Sequence, residues 1–293
     1  MTKTIWVFPG QGSQAVGMGA DLLHVPSAKE KFDQAAEILG WSVLDIIQGE
    51  ETTLAKTLYT QPCMYVVESI LADQLKAAGQ TPDYVAGHSL GEYAALYTAG
   101  VFDFASGLRL IQRRAQLMDG ASDGQMAALL GFDREQLDAA LQSTVDVVLA
   151  NDNNAGQAVI SGKPEAVDAL LGQVKCKKAV KLNVSGAFHS PLMAPAAREF
   201  DQVLQGVTFQ PPTVGVLSNV EPSPSEDAHV IHDRLSQQMT GSVRWRELTL
   251  ALPDLAVSRV VEVGPGKVLV GIMKRTCGDL TYETVGSLAD LPS

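Results

Sequence analysis

Residues 87–91 read Gly-His-Ser-Leu-Gly and follow the short apolar run Tyr84, Val85, Ala86. A small hydroxyl residue between two glycines, where a strand gives way to a helix, is the G-x-S-x-G arrangement. The glycines permit a sharp, strained turn that pushes Ser89 Oγ into the open. The helix beginning there adds unpaired N–H groups and the positive end of its dipole. The plainer reading is that Ser89 caps the helix, yet a cap needs no glycine on either side. Ser89 is therefore the candidate nucleophile.

A serine hydroxyl attacks poorly at neutral pH unless a base takes its proton. The chain offers five histidines. His88 adjoins the serine and is expected to point away from it, and His24, His229 and His232 fall in polar, helix-like stretches where solvated side chains are expected. His189 is different: in VSGAFHSPLMAP it stands just past a small-residue turn. It is the candidate general base and acid, against the plainer reading of a capping or structural histidine.

The elements around these two side chains must bring them together. Residues 4–10, TIWVFPG, read as a strand running into a glycine-rich turn. Residues 61–79 carry apolar side chains at helical spacing and end on a glycine suited to a C-cap, and the stretch after Ser89 reads as a second helix. From Gly124 the rhythm changes to strand, helix, strand, strand, helix, strand, the ferredoxin-like order. Patterns of the first type resume in TVGVLSNV and SRVVEVGPG. The expected fold is α/β: an α/β-hydrolase-like core with a mostly parallel sheet, residues 1–123 and 186–293, into which a ferredoxin-like subdomain is inserted at 124–185.

Composition narrows the function classes. With 293 residues, 46% hydrophobic and 19% charged, the chain reads as an ordinary globular protein. It has no apolar run of membrane-spanning length and its start lacks signal-peptide character, so a cytoplasmic location is expected, with no membrane partner. The three cysteines form no CxxC pair, which argues against a disulfide framework or a zinc site. A net charge of −11 speaks against an extended nucleic-acid footprint. VGPGK lacks phosphate-loop spacing, and PGQGSQ has Ala15 where a dinucleotide fingerprint needs glycine. His229 and His232, three apart, lack a third ligand, so no metal is expected.

Five segments, FPGQGSQ, GHSLGEY, ANDNNAGQAVISG, GAFHSPLM and VEVGPGKVL, resemble in the same order the malonyl-coenzyme A:acyl carrier protein transacylases. The resemblance implies malonyl transfer from malonyl-coenzyme A to acyl carrier protein, without a cofactor, by an enzyme of fatty acid synthesis. A monomer is expected. The resemblance also implies a malonyl ester on Ser89 and a Ser–His dyad in which the backbone carbonyl of Gln238, not a carboxylate, orients His189. Ser242 stands where the family often has proline. The backbone N–H groups of Gln11 and Leu90 would form the oxyanion hole, and Arg114 would grip the malonyl carboxylate with paired hydrogen bonds. Phe188 would crowd a branched α-carbon and so disfavour methylmalonyl.

The carrier is acidic in this family, so docking on a chain of net charge −11 must be local. Lys175, Lys177, Lys178 and Lys181 form the densest basic cluster and are candidates for receiving it, against the plainer reading of a solvated face. Three other readings stand beside this one: a loading enzyme of a polyketide pathway acting in trans, a serine hydrolase with an Asp or Glu completing a triad, and a non-catalytic carrier-binding protein.

Overall fold

A computed structural model describes residues 2–121 and 123–292. The chain opens with β1 (Lys3–Phe8), α1 (Pro26–Leu39), α2 (Val43–Ile47), α3 (Glu51–Leu54), α4 (Thr57–Ala77), β2 (Tyr84–Gly87), α5 (Gly91–Thr98) and α6 (Phe104–Asp119). It continues through β3 (Gln125–Phe132), α7 (Arg134–Ser143), β4 (Val147–Asn154), β5 (Gln157–Gly162), α8 (Pro164–Leu171) and β6 (Cys176–Lys181). It closes with α9 (Ala194–Leu204), β7 (Gly215–Leu217), α10 (Ala228–Gln238), α11 (Trp245–Ala251), β8 (Val257–Val263), α12 (Val268–Met273) and β9 (Thr281–Val285).

Strands β7, β2, β1, β8 and β9 lie side by side in that order, every neighbouring pair parallel. β1 is central and buried on both faces, as the helix-covered faces of a parallel sheet require. Its alternation sorts the core: Trp6 and Phe8 pack with α4 and α5, while Ile5 and Val7 pack with Trp245, Leu248 and Leu269 on the other face. Each such large side chain, fully withdrawn from water, contributes about 1.5–3 kcal/mol. Helix α4 is buried all round from Thr60 to Ala72, so it is a core helix and not an amphipathic surface one.

The second sheet has the order β4, β5, β3, β6, all antiparallel. Helices α7 and α8 cover one face, where Leu137, Ala140, Val167 and Leu170 meet Ala127, Leu129 and Ile160. Met126, Ala150 and Val159 point the other way and join the main core. Where the two sheets meet, Asp152 N–H donates to the Val243 carbonyl at 3.0 Å and Val243 N–H to Ala150 at 2.8 Å. The Asp152 carboxylate is held by Arg134 and Arg246 at 3.1 and 3.0 Å. A parallel sheet with a separate antiparallel one is the combination the sequence led us to expect.

Strand β9 has no counterpart in the sequence reading. Its residues Thr281–Val285 are polar and mostly exposed, so no apolar run announces it. It exists by pairing: its ladder with β8 runs from Arg259↔Thr281 to Val263↔Val285, and Arg259 grips Glu283 with two hydrogen bonds of 2.9 and 2.6 Å. No helix among the described residues is long and apolar enough to cross a membrane.

Candidate active site

The turn after β2 is built by steric exclusion. A Cβ on Gly87 would lie 2.0 Å from the Gly91 carbonyl carbon, and one on Gly91 would lie 2.2 Å from the Phe8 carbonyl oxygen. Any side chain at either position would force the strand away from the helix. Between them Ser89 is held at φ 54°, the left-handed region that a non-glycine residue rarely occupies. Asn219, just past β7, secures it: Ser89 N–H donates to Asn219 Oδ1 at 2.7 Å, and Asn219 Nδ2 donates to the Gly87 carbonyl at 2.6 Å.

Ser89 Oγ lies 2.7 Å from His189 Nε2, across 100 residues of sequence. His189 Nδ1 faces two carbonyls, Gln238 at 2.9 Å and Gly241 at 3.1 Å. Two acceptors require Nδ1 to carry the proton, leaving Nε2 as the acceptor for the serine hydroxyl. Among the described residues no carboxylate bonds His189. Burial, aided by the positive Arg114, pushes the imidazole down to about 3, so it stays neutral over the physiological range. His189 also sits at φ 57°, so both partners occupy strained backbone. Near Ser242, the Oγ donates to the Ala150 carbonyl at 3.3 Å, fixing the loop that carries Gly241.

Arg114, on α6, is fully buried. Its Nη1 donates to Gln61 Oε1 at 2.8 Å, and its Nη2 donates to Ser89 Oγ at 3.0 Å and to Gln238 Oε1 at 3.1 Å. Its Nε has no partner, and the guanidinium lies 5.5 Å from the Tyr93 ring centroid. Among the described residues no acid forms an ion pair with it. A buried guanidinium held by neutral oxygens, beside a bonded Ser–His pair, is suited to receive an anionic group on whatever the serine attacks.

Gln11 sits in the loop after β1, with its side chain tied to Thr57 Oγ1 at 3.1 Å. Among the described residues neither Gln11 N–H nor Leu90 N–H donates within the chain. Both residues line the cavity around Ser89, of about 100 Å³, together with Arg114, Phe188 and His189. Met118, Met126, Leu182 and Val184 give it apolar walls. Phe188 is buried against that cavity. A larger groove of about 480 Å³ runs beside it between Gln116, Leu117, Pro195 and Glu199, but is lined by neither Ser89 nor His189.

Ser89, His189, Arg114, Gln11, Leu90 and Phe188 thus share one cavity, and Gln238 sits directly behind it. His88 turns from Ser89 toward Asn153 Oδ1, 2.9 Å from its Nε2. His24 and His229 are exposed, but His232 is only partly so, because its ring packs edge-on against Phe209 at 5.1 Å. Lys175, Lys177 and Lys178 are exposed at and along the edge strand β6, while Lys181 pairs with Asp168 at 2.6 Å. Sequence reasoning missed Gln61, Asn219, Glu92 and the Gly241 carbonyl. Only the glutamic acid carried a signal, as a charged residue in an otherwise apolar helix start. No cluster of histidine, cysteine, aspartate and glutamate suited to a metal occurs among the described residues.

The acyl transferase domain family matches residues 5–289. A malonyl CoA-acyl carrier protein transacylase of Synechocystis sp. is 57% identical over 99% of both chains. Its crystal structure superposes with a TM-score of 0.97 over 98% of each chain. A polyketide biosynthesis malonyl CoA-acyl carrier protein transacylase of Bacillus velezensis is 42% identical over 92% of this chain and 95% of that one. A complex described as a type II polyketide acyl-carrier protein with its malonyl-transacylase superposes with a TM-score of 0.93 at 36% identity, over 99% of this chain and 97% of that one.

Proposed function

The chain belongs to the acyl transferase domain family, and from that membership and the geometry around Ser89 we propose that it moves malonyl groups from malonyl-coenzyme A to the phosphopantetheine thiol of an acyl carrier protein. It is an acyl-carrier-protein S-malonyltransferase that uses malonyl-coenzyme A as substrate and needs no cofactor. The observation that carries the reading is the buried Arg114 at 3.0 Å from Ser89 Oγ, which is itself bonded to His189 at 2.7 Å. A nucleophile beside an unpaired buried cation fits an acyl group with a free carboxylate.

The chemistry runs in two halves. Ser89 Oγ attacks the thioester carbon while its proton passes to His189 Nε2. The resulting oxyanion is held by the Gln11 and Leu90 N–H groups, one such donor being worth about 2.7–4 kcal/mol. As the C–S bond breaks, the imidazolium returns its proton to the departing coenzyme A sulfur, leaving a malonyl ester on Ser89. The carrier thiol then gives its proton to His189, its sulfur attacks the ester, and Ser89 Oγ leaves and is reprotonated. The Gln238 and Gly241 carbonyls hold the imidazolium through Nδ1 in both halves, the role a carboxylate plays in a triad. Phe188 narrows the space at the α-carbon and rejects a methyl branch by about 1–3 kcal/mol.

In this reading residues 124–185 are an inserted subdomain that closes over the site, the carrier approaches along the lysines of β6, and the enzyme works as a cytoplasmic monomer. The likeness to the Bacillus velezensis protein supports a second destination, a polyketide carrier. Incubation with malonyl-coenzyme A and intact-mass measurement tests the first half-reaction. One malonyl adduct is expected, absent in Ser89→Ala, and an adduct on that variant removes Ser89 from its role. Transfer rates to a panel of carriers separate the two destinations.

A further inference from the structure

Of the buried acids that the reaction leaves unused, Glu92 is bonded to the groups that support Ser89. Glu92, in the first turn of α5, is 1% exposed, and its Oε2 accepts from Gln238 Nε2 at 2.6 Å and from Asn219 N–H at 3.4 Å. Its Oε1 makes no hydrogen bond, and neither does the buried hydroxyl of Ser218, which faces it. Gln238 Nε2 also donates to the Ser89 carbonyl at 2.8 Å, so two acceptors fix the amide with Oε1 turned to Arg114 at 3.1 Å. A carboxyl, an amide and a guanidinium therefore stand in line, and the amide also touches the backbone of the nucleophile.

Among the described residues no base bonds Glu92 and no acid bonds Arg114, so the two buried groups are coupled across a single side chain. The groups facing Glu92 are Gln238 from α10, Ser218 and Asn219 from the segment after β7, Arg114 from α6, and Tyr93 from its own helix. Burial pushes the carboxyl up to about 7, against the opposing pull of Gln238, Ser218, Asn219 and Arg114. A group so placed changes its charge in response to a modest change in local potential.

Building on the malonyl-transfer reading, we propose that Glu92 is the stand-in counter-charge of Arg114 in the empty site and takes up a proton from solvent when an acyl group bearing a carboxylate displaces it. The arriving carboxylate neutralises the guanidinium and adds negative potential next to Glu92, which makes protonation more favourable. The proton goes onto the unbonded Oε1, opposite the Ser218 hydroxyl. An acetyl group brings no carboxylate and causes no uptake. The sign follows: as pH rises through about 7, an ionised Glu92 opposes the second carboxylate, so affinity for malonyl falls while affinity for acetyl does not. Glu92 is thus a positioning residue through Gln238 and a specificity-determining one through its charge.

The test uses Ser89→Ala, which cannot be acylated, titrated calorimetrically with malonyl-coenzyme A and acetyl-coenzyme A in two buffers of different ionisation enthalpy. The coenzyme phosphates are common to both ligands, so the difference isolates the acyl group. Greater proton uptake with malonyl, and a several-fold loss of malonyl affinity alone between about pH 6 and about pH 8, are expected. Adding Glu92→Gln keeps an acceptor for Gln238 but removes the charge, and both effects should vanish. Equal uptake for the two ligands, or a difference that survives Glu92→Gln, overturns the proposal. If the doubly substituted chain fails to fold, the two-ligand comparison in Ser89→Ala alone decides. A malonyl adduct forming normally on Ser89 without differential uptake would sink this inference and leave malonyl transfer standing.

Discussion

Asn219 brackets Ser89: one end of its amide accepts the Ser89 N–H at 2.7 Å and the other donates to the Gly87 carbonyl at 2.6 Å. The left-handed turn at Ser89 thereby gains two hydrogen bonds, one partly and one fully buried, from a residue 130 positions away. Asn219→Ala leaves both backbone groups unpaired, at about 1–3 kcal/mol each. A fall in melting temperature is expected together with a loss in kcat larger than any change in KM, because the turn that aims Ser89 Oγ relaxes. Unchanged kcat in a variant of lowered stability would reduce Asn219 to a purely structural part.

The pH behaviour of His189 runs opposite to that of a salt-bridged histidine. Its folded value, about 3, lies below the ordinary 6.5, so the unfolded chain binds the extra proton first. The stability it contributes is present above 6.5 and is lost as pH falls from there toward about 3. For the same reason the acid limb of kcat/KM should fall below the ordinary histidine range. A limb centred at 6.5 in the pH–rate profile would contradict the burial argument.

Arg114→Ala should collapse the preference for malonyl over acetyl, since the buried cation that answers the carboxylate is gone. Arg114→Lys keeps the charge but loses the planar fork, and should recover only part of the preference. Ratios of kcat/KM for the two thioesters measure both. A ratio unmoved in Arg114→Ala would exclude the arginine from substrate choice.

Lys177 and Lys178 extend from an exposed edge strand whose continuation, through Leu182 and Val184, lines the site cavity. Reversing both to Glu should raise the KM for the carrier several-fold, more at low salt than at high, and leave malonyl loading from coenzyme A intact. An unaltered carrier KM at low salt would move the docking surface elsewhere.

Much of this protein was legible in its sequence because the information is local. The glycines on either side of Ser89 are the two positions that touch the neighbouring backbone, and spacing alone reveals them. The alternation in β1 and the strand–helix rhythm from Gly124 likewise follow from short-range burial. Strand β9 was invisible because an exposed polar edge leaves no apolar pattern, and His232 was misjudged because Phe209 reaches it only in the folded chain.

The tertiary structure alone decided how the polar groups are wired. Glu92, Asn219 and Gln61 carry no periodicity that marks them, and Gly241 contributes only a carbonyl, which every residue possesses. Each gains its meaning from partners between 52 and 146 positions distant. Sequence fixes which side chains exist and which backbone turns are permitted. Whether a hydroxyl, an imidazole and a guanidinium meet within 3 Å depends on two sheets packing together, because hydrogen bonds act over a few ångströms and no spacing rule reaches across a hundred residues of chain.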